Sequence, residues 1–355
     1  MASSAGRLLA RLSSADREGI MDKHTIVLIP GDGIGPEVSN AMKQVLDASG
    51  AAIEWLTLQA GISALEQGYD EVLPKRVLEA IQAHKVAIKG PVTTPVGKGF
   101  KSVNVQLRQA LSLYAAVRPA INLPGIKTRF QGVDLVIIRE NTEGLYSGIE
   151  NEVVPGVVTS LKVATTQACE RISRYAFRYA TRNKRQKISV FHKANIMKRT
   201  DGMFLDAARK IHEQEYPNID YAEVIIDAGC MKLVQDPAQF DMLLMENLYG
   251  DLVSDLCAGL VGGLGVVAGA NIGDEAAVFE AVHGSAPDIA GKGIANPLAC
   301  ILSGVMMLQH LHEEAMALRI RQACYSVLEE GQMLTGDLGG KASTQQFTDA
   351  IIGKL

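Results

Sequence analysis

Short apolar runs alternate along almost the whole chain with stretches whose apolar residues recur at a helical period. Thr25–Pro30, Val86–Ile88, Asp134–Ile138, Ile188–Phe191 and Phe240–Met245 are close to continuously apolar, the mark of strands buried on both faces. Ile53–Leu58, Tyr221–Ile226 and Ala277–Phe279 read as further strands, and Val117–Pro119 as an extended segment. Between them Val38, Met42, Val45 and Leu46 share a helical face, as do Ala168, Ile172, Tyr175, Ala176 and Tyr179. Helices are also predicted over Leu73–Ala83, Val103 to about Tyr114, Gly202–Glu215, Pro297–Leu311 and about Glu314–Glu329, with another opening at Asn247. Val153–Val163, with Pro155 and Gly156 among β-branched residues, predicts a hairpin. The glycine-rich Leu256–Ile272 reads as a buried helix and loop, flanked by Asp255 and Asp274, rather than a membrane span. Strands alternating with helices predict an α/β chain.

Composition narrows this picture. At 355 residues the chain is too long for one ordinary core and suits two associated domains. A formal net charge of −4 gives no reason to expect nucleic acid or an anionic membrane as partner. The cysteines at 169, 230, 257, 300 and 324 are scattered, odd in number and without a C-x-x-C. They point to a reducing compartment, with neither a disulfide framework nor a thiolate zinc site. Residues 2–14 carry Arg7, Arg11 and no acid, in the manner of a short transit peptide. Asp16, Glu18 and Met21 just before the first strand suit an upstream-extended start equally well, so residues 1–22 are set apart from the fold.

Candidate chemistry is spread along the chain. Within Asn247-Leu-Tyr-Gly-Asp-Leu-Val-Ser-Asp255, Asp251 and Asp255 stand at i and i+4 on one helical face. Such a pair suits a hard cation, Mg²⁺ or Mn²⁺; taken alone it is better explained as a solvated acidic turn near a helix start. Gly31-Asp-Gly-Ile-Gly35 imitates a dinucleotide fingerprint, with Glu54 downstream, but Pro36 stands where the third glycine belongs. It reads as a structural turn. Ser102, Asn104 and Arg108 share the start and one face of a helix, and Arg118 and Arg139 stand at element ends. Guanidinium groups so placed suit carboxylate binding, although each arginine alone is better explained by a surface salt bridge. Lys193 and Asn195 follow a strand and point to one side if the chain stays extended, which suits Lys193 as a base or proton relay. Tyr146 suits a proton donor. Taken separately, both are more often structural. The basic run Arg182–Lys187 reads as a solvated helix end, and His310, His312, Glu313 and Glu314 lack a metal-ligand spacing.

Four stretches in order resemble one family. They are Gly31-Asp-Gly-Ile-Gly-Pro-Glu37, Arg139-Glu-Asn-Thr-Glu-Gly-Leu-Tyr146, Asn247–Asp255 and His283-Gly-Ser-Ala-Pro-Asp-Ile-Ala-Gly291. Across about Lys23 to Leu355 the chain resembles the metal-dependent β-decarboxylating dehydrogenases, the isocitrate/isopropylmalate dehydrogenase family. The resemblance implies a non-Rossmann α/β fold of two domains with the active site in the interdomain cleft. Residues 23–112 plus 262–355 would form a large cofactor-binding domain, and residues 113–261 a small dimerisation domain with a clasp near 146–163. The assembly implied is a homodimer or higher homo-oligomer with shared active sites. Ser102, Asn104, Arg108, Arg118 and Arg139 would hold substrate carboxylates, and Tyr146 would donate a proton. Lys193, Asn195 and Asp227 would come from the partner, Asp227 joining Asp251 and Asp255 on Mg²⁺ or Mn²⁺.

The same resemblance implies NAD as cofactor. Pro91–Thr94, including Thr93 and Thr94, would lie near the nicotinamide, with Glu280, His283, Gly284, Ser285, Ala286, Pro287 and Asn296 around the adenosine. Asp288 and Ile289 imply NAD over NADP, since a carboxylate near the ribose accepts hydrogen bonds from free hydroxyls and repels a 2′-phosphate. The implied reaction is oxidative decarboxylation of isocitrate to 2-oxoglutarate. Ser102 and Asn104 suit a third carboxylate better than the isopropyl group of 3-isopropylmalate, with homoisocitrate and tartrate as other sister substrates; Val103 and Val105 pull the other way. A non-catalytic regulatory subunit is the alternative of another class, and it should have lost a catalytic group, whereas Tyr146, Lys193 and all three aspartates are present. Thr335–Gly340 has glycine where relatives often have proline, so a looser loop is expected there. The expected location is cytoplasmic, of the bacterial type, or the mitochondrial matrix if residues 1–20 are a transit peptide.

Overall fold

The structure, a computed structural model, describes residues 23–93 and 102–355. In chain order its strands are β1 (His24–Ile29), β2 (Ile53–Thr57), β3 (Val86–Lys89), β4 (Ala115–Ile121), β5 (Asp134–Glu140), β6 (Glu150–Val154), β7 (Val157–Ser160), β8 (Lys187–His192), β9 (Asp220–Ile225), β10 (Met242–Met245), β11 (Ala268–Ile272) and β12 (Ala277–Ala281). Strands β6 and β7 stand apart as an exposed hairpin, and the others form one sheet in the order β2-β1-β3-β12-β11-β4-β5-β10-β8-β9. The apolar runs are its interior: every residue of β3 and β10 is buried, and each of these strands lies between two parallel neighbours. At the middle, β12–β11, β11–β4 and β4–β5 pair antiparallel, so two parallel halves meet at an antiparallel seam. This mixed order departs from a dinucleotide-binding doubly wound sheet.

The helices are α1 (Gly35–Ala48), α2 (Ile62–Glu66), α3 (Lys75–His84), α4 (Val103–Ala110), α5 (Thr166–Arg182), α6 (Thr200–Glu215), α7 (Ile226–Gln235), α8 (Asn247–Val261), α9 (Leu298–His310), α10 (Glu314–Glu330) and α11 (Thr344–Ile352). Helix α5 buries Ala168, Ile172 and Ala176 of the face that its period predicts, leaves Tyr175 and Tyr179 half-buried, and buries Phe177 and Ala180 besides; Thr165 Oγ1 caps it by accepting from the Ala168 N–H at 3.2 Å. Strands from residues 24–89 and 268–281 make one half of the sheet, and those from 115–245 the other. The chain therefore crosses the seam twice, once through α4 and once through α8.

Leu256–Ile272 differs from the helix and loop expected of it. The helix ends at Val261, and Ala268–Ile272 forms β11 at the seam. Small residues without alternation give β11 no local strand signal; its pairing with β12 and β4 supplies the structure. The Gly31–Gly35 stretch is the structural turn expected. A Cβ on Gly33, at φ +60°, would fall 2.1 Å from the Ser285 carbonyl oxygen, so the turn packs directly on the 283–291 loop. Among the described residues no helix is long and apolar enough to cross a membrane.

Candidate active site

One cavity of about 250 Å³ lies where the two crossing helices meet the seam. Ser102, Asn104 and Arg108 reach it from α4, Arg118 from β4, Asp251 and Asp255 from α8, and Tyr146 from a short 3-10 turn. Ser102 is the N-cap of α4, its side chain accepting from the Val105 N–H. Asn104 Oδ1 is buried without a protein partner. Val105 lines the cavity, whereas Val103 packs into an apolar core cluster.

Arg139 is fully buried and is spent on the protein itself. Its Nε and Nη2 donate to Asn247 Oδ1 at 3.1 and 2.7 Å, and Nη1 donates to Asp251. Gly250 makes this possible, because a Cβ there would sit 2.4 Å from Arg139 Cγ. Burial, with Arg108 nearby, pulls the Arg139 guanidinium down to about 10 despite the Asp251 charge. Tyr146 donates to the other oxygen of Asp251. Burial and that hydrogen bond push the phenol above its ordinary value, so it holds its proton at neutral pH. Partial burial and the Asp251 charge likewise raise Asp255, against the pull of Arg118 and Arg139.

Glu280, expected near the adenosine, lies in this first cavity instead. It is buried against Lys89, 2.5 Å from its Oε2, while the Nη2 atoms of Arg108 and Arg118 each stand 3.6 Å from Oε1. Burial alone would raise its pKa; Lys89, Arg118 and Arg108 outweigh that and hold it far below the carboxylate range. Lys89 and Asn271, which donates to Glu280 Oε1 at 2.7 Å, escaped the sequence reading. A lysine closing an apolar strand was the available signal for the first. The second lies in β11, which was itself missed.

Lys193, Asn195 and Asp227 are brought to a different place. Lys193 Nζ donates to Asp227 Oδ1 at 2.7 Å, an ion pair that lowers the aspartate's pKa. Asn195 is exposed, and none of the three lines the cavity of Asp251 and Asp255. Among the described residues no group of three His, Cys, Asp or Glu side chains could hold a metal within one chain.

A second cavity, about 440 Å³, is lined by His283, Ile289 and Asn296 together with Asp337 and Lys341. His283 borders both cavities, with Nε2 buried and unpartnered. Asn296 Nδ2 donates to Asp337 at 2.9 Å. Thr93 donates its N–H to Asp32 at 2.6 Å and its hydroxyl to Ser285 Oγ at 2.7 Å. Asp32, also missed, accepts from the Ile62 and Ser63 N–H groups too and so ties α2 to this strip. Gly284 lines the first cavity, Ala286 takes a positive φ of 38°, and Pro287 and Asp288 are exposed beside Ile289. Thr94 and residues 1–22 lie outside the described residues.

A profile of the isocitrate/isopropylmalate dehydrogenase family matches residues 25–351. The chain is 52% identical to the mitochondrial NAD isocitrate dehydrogenase catalytic subunit 5 of Arabidopsis thaliana, over 93% of this chain and 88% of that one. It is 50% identical to a mitochondrial NAD isocitrate dehydrogenase regulatory subunit from Dictyostelium discoideum, over 93% and 91%. The crystal structure of isocitrate dehydrogenase from Methylococcus capsulatus matches with a TM-score of 0.90 at 51% identity, over 93% of this chain and 99% of that one. The cytoplasmic location expected from the sequence is corrected by the curated relatives, whose names place them in mitochondria. With this match along nearly its whole length, the chain belongs to the isocitrate/isopropylmalate dehydrogenase family.

Proposed function

We propose that this chain oxidatively decarboxylates isocitrate to 2-oxoglutarate, with NAD as hydride acceptor and Mg²⁺ or Mn²⁺ held by Asp251 and Asp255. The observation that carries the reading is the cavity itself: two buried arginines, two hydrogen-bonding side chains on α4, a carboxylate pair and a protonated tyrosine in one space. Arg108 and Arg118 bind substrate carboxylates, and Ser102 and Asn104 bind the third, which an isopropyl group would leave unsatisfied. Arg139 acts one step back by fixing Asp251. The residues fit the cation, because the charge of Asp251 raises the proton affinity of Asp255, and a positive charge between the two carboxylates relieves that repulsion. When bound, it supplies Lewis-acid stabilisation of charge on the substrate oxygens. Tyr146 Oη delivers its proton to the carbon that CO₂ leaves.

Two carboxylates are too few for that cation, and Lys193 with Asp227 lies elsewhere on the chain. We place these two, with Asn195, in the site of a second copy, where Asp227 completes the metal shell and Lys193 Nζ takes the proton of the substrate hydroxyl. What supports a homodimer is exposed apolar surface around them: Ile196 is 67%, Met231 51% and Leu252 62% exposed. The hairpin β6–β7 is also too small to stand alone and presents Val153 and Val158 at 63% and 64% exposure. On this reading the sheet halves are two domains, residues 23–112 plus 262–355 for cofactor and 113–261 for dimerisation, with the site between them. Asp288 next to Ile289 favours NAD over NADP.

The test is turnover by the purified chain with Mn²⁺, comparing isocitrate with 3-isopropylmalate and NAD⁺ with NADP⁺. Preference for isocitrate and NAD⁺ is expected. Preference for isopropylmalate or NADP⁺ would refute the substrate or cofactor assignment, and turnover only with an added partner would favour a regulatory role for this chain.

A further inference from the structure

Glu280 poses a physical problem. A carboxylate buried to 4% exposure, with Lys89, Arg108 and Arg118 around it, should close onto a guanidinium in a two-pronged pair at ordinary hydrogen-bond distance. Instead both arginines stand 3.6 Å from Oε1, outside hydrogen-bond reach, and Arg118 Nε has no partner. One carboxylate faces three cations, and N–H groups of the arginines are left without a partner.

A chain of two amides accounts for this. Asn271 Nδ2 donates to Glu280 Oε1 at 2.7 Å, and Lys89 occupies Oε2. The carboxylate only accepts, so the Asn271 amide must present nitrogen to it and oxygen away from it. That oxygen accepts from Asn141 Nδ2 at 2.9 Å, which also donates to the Leu113 carbonyl at 3.2 Å. Asn141 Oδ1 is left buried without a partner, so the network tolerates one orphaned acceptor in order to keep this polarity. Backbone register provides the room. Gly269 pairs with Glu280 across β11–β12, and a Cβ there would come within 3.3 Å of Arg118 Cδ. With no side chain at 269, Arg118 passes over the strand while Glu280 leans toward Asn271, two residues along.

We infer that Asn271 is a positioning residue for substrate binding: it turns Glu280 away from Arg108 and Arg118 so that their N–H groups stay available to the substrate carboxylates. Asn141 fixes the amide that does this and links it to the stretch bearing Arg139 and Tyr146. The inference rests on the isocitrate reading above.

Isocitrate binding is measured by calorimetry with Mn²⁺ for the full chain, Asn271→Leu, Glu280→Gln and the double variant, with turnover alongside. Asn271→Leu should weaken isocitrate binding about tenfold, the scale of one charge-assisted hydrogen bond, and lower kcat at saturating isocitrate by less than about threefold. In the Glu280→Gln background the same substitution should change affinity less than about twofold, because no carboxylate remains to swing. Asn271→Ser, smaller and too short to reach, should repeat the result and stands in if the leucine variant does not fold. Equal weakening in both backgrounds would mean a packing role and overturn the inference, as would unchanged affinity in a folded Asn271 variant. Absence of isocitrate binding by the unmodified chain would overturn the functional reading as well.

Discussion

At the scale of single residues, the site is a balance of buried charges, and each charge sets its neighbours' protonation. Asp251 accepts from Arg139 and Tyr146 while sharing a helix face with Asp255. Asp251→Asn should therefore weaken Mn²⁺ binding by at least about tenfold, the scale on which even an outer-shell partner matters, as read by titration with free Mn²⁺ without turnover. Glu280 gives a pH prediction. Its folded pKa is held below its ordinary 4.5, so the stability it contributes is present above that value and lost as pH falls through the folded value. Glu280→Gln leaves Lys89 without its partner and should cost about 3 kcal/mol in urea unfolding across about pH 6 to 9. The gap should shrink only below the ordinary value. Type and spacing alone left Arg108, Arg118 and the aspartate pair better explained as surface charges, and the four motifs that resemble a family were what singled them out together. Lys89, Asn271 and Asp32 were not legible in the sequence, since what matters about each is a partner distant in sequence.

At the scale of elements, strands with continuous apolar runs and helices with a clear period were readable, and the exposed hairpin came from its turn residues. Strand β11 was not, because Ala268–Ile272 becomes a strand only by lying between β12 and β4. Helix α7 was missed for a similar reason: the strand expected over Tyr221–Ile226 gives way at once to a helix starting at Ile226, which carries Asp227. Packing of α8 on β5 makes a further prediction. Alanine at position 250 gains about 1 kcal/mol of helix propensity, but its methyl would meet Arg139 Cγ at 2.4 Å. Overpacking of this kind costs about 1–3 kcal/mol, so Gly250→Ala should be net destabilised in urea and raise KM for isocitrate as Arg139 shifts off Asp251. On the hairpin, Val158→Asp places charge on a face that the homodimer would bury. Sedimentation should show a folded monomer with little activity, and an active monomer would refute the shared site.

At the scale of the whole molecule, Asp251 and Lys193 belong to one chain but, on the proposed reading, to different sites. Mixing inactive Asp251→Asn chains with inactive Lys193→Met chains, then unfolding and refolding them together, should restore about a quarter of normal activity. Random pairing makes half the dimers mixed, and each mixed dimer has one intact site. No recovery would mean that each site takes Lys193 and Asp251 from one and the same chain. The seam has a further consequence. The two passages of chain between the sheet halves are the helices that carry the carboxylate-binding and metal-binding side chains. Rotation of one half against the other thus acts on the spacing between Arg108 on α4 and Asp255 on α8. A gene split just after α8 would put the carboxylate-binding and metal-binding side chains on one fragment and Glu280 with the 283–291 loop on the other, so reassembly of such fragments could be followed by activity.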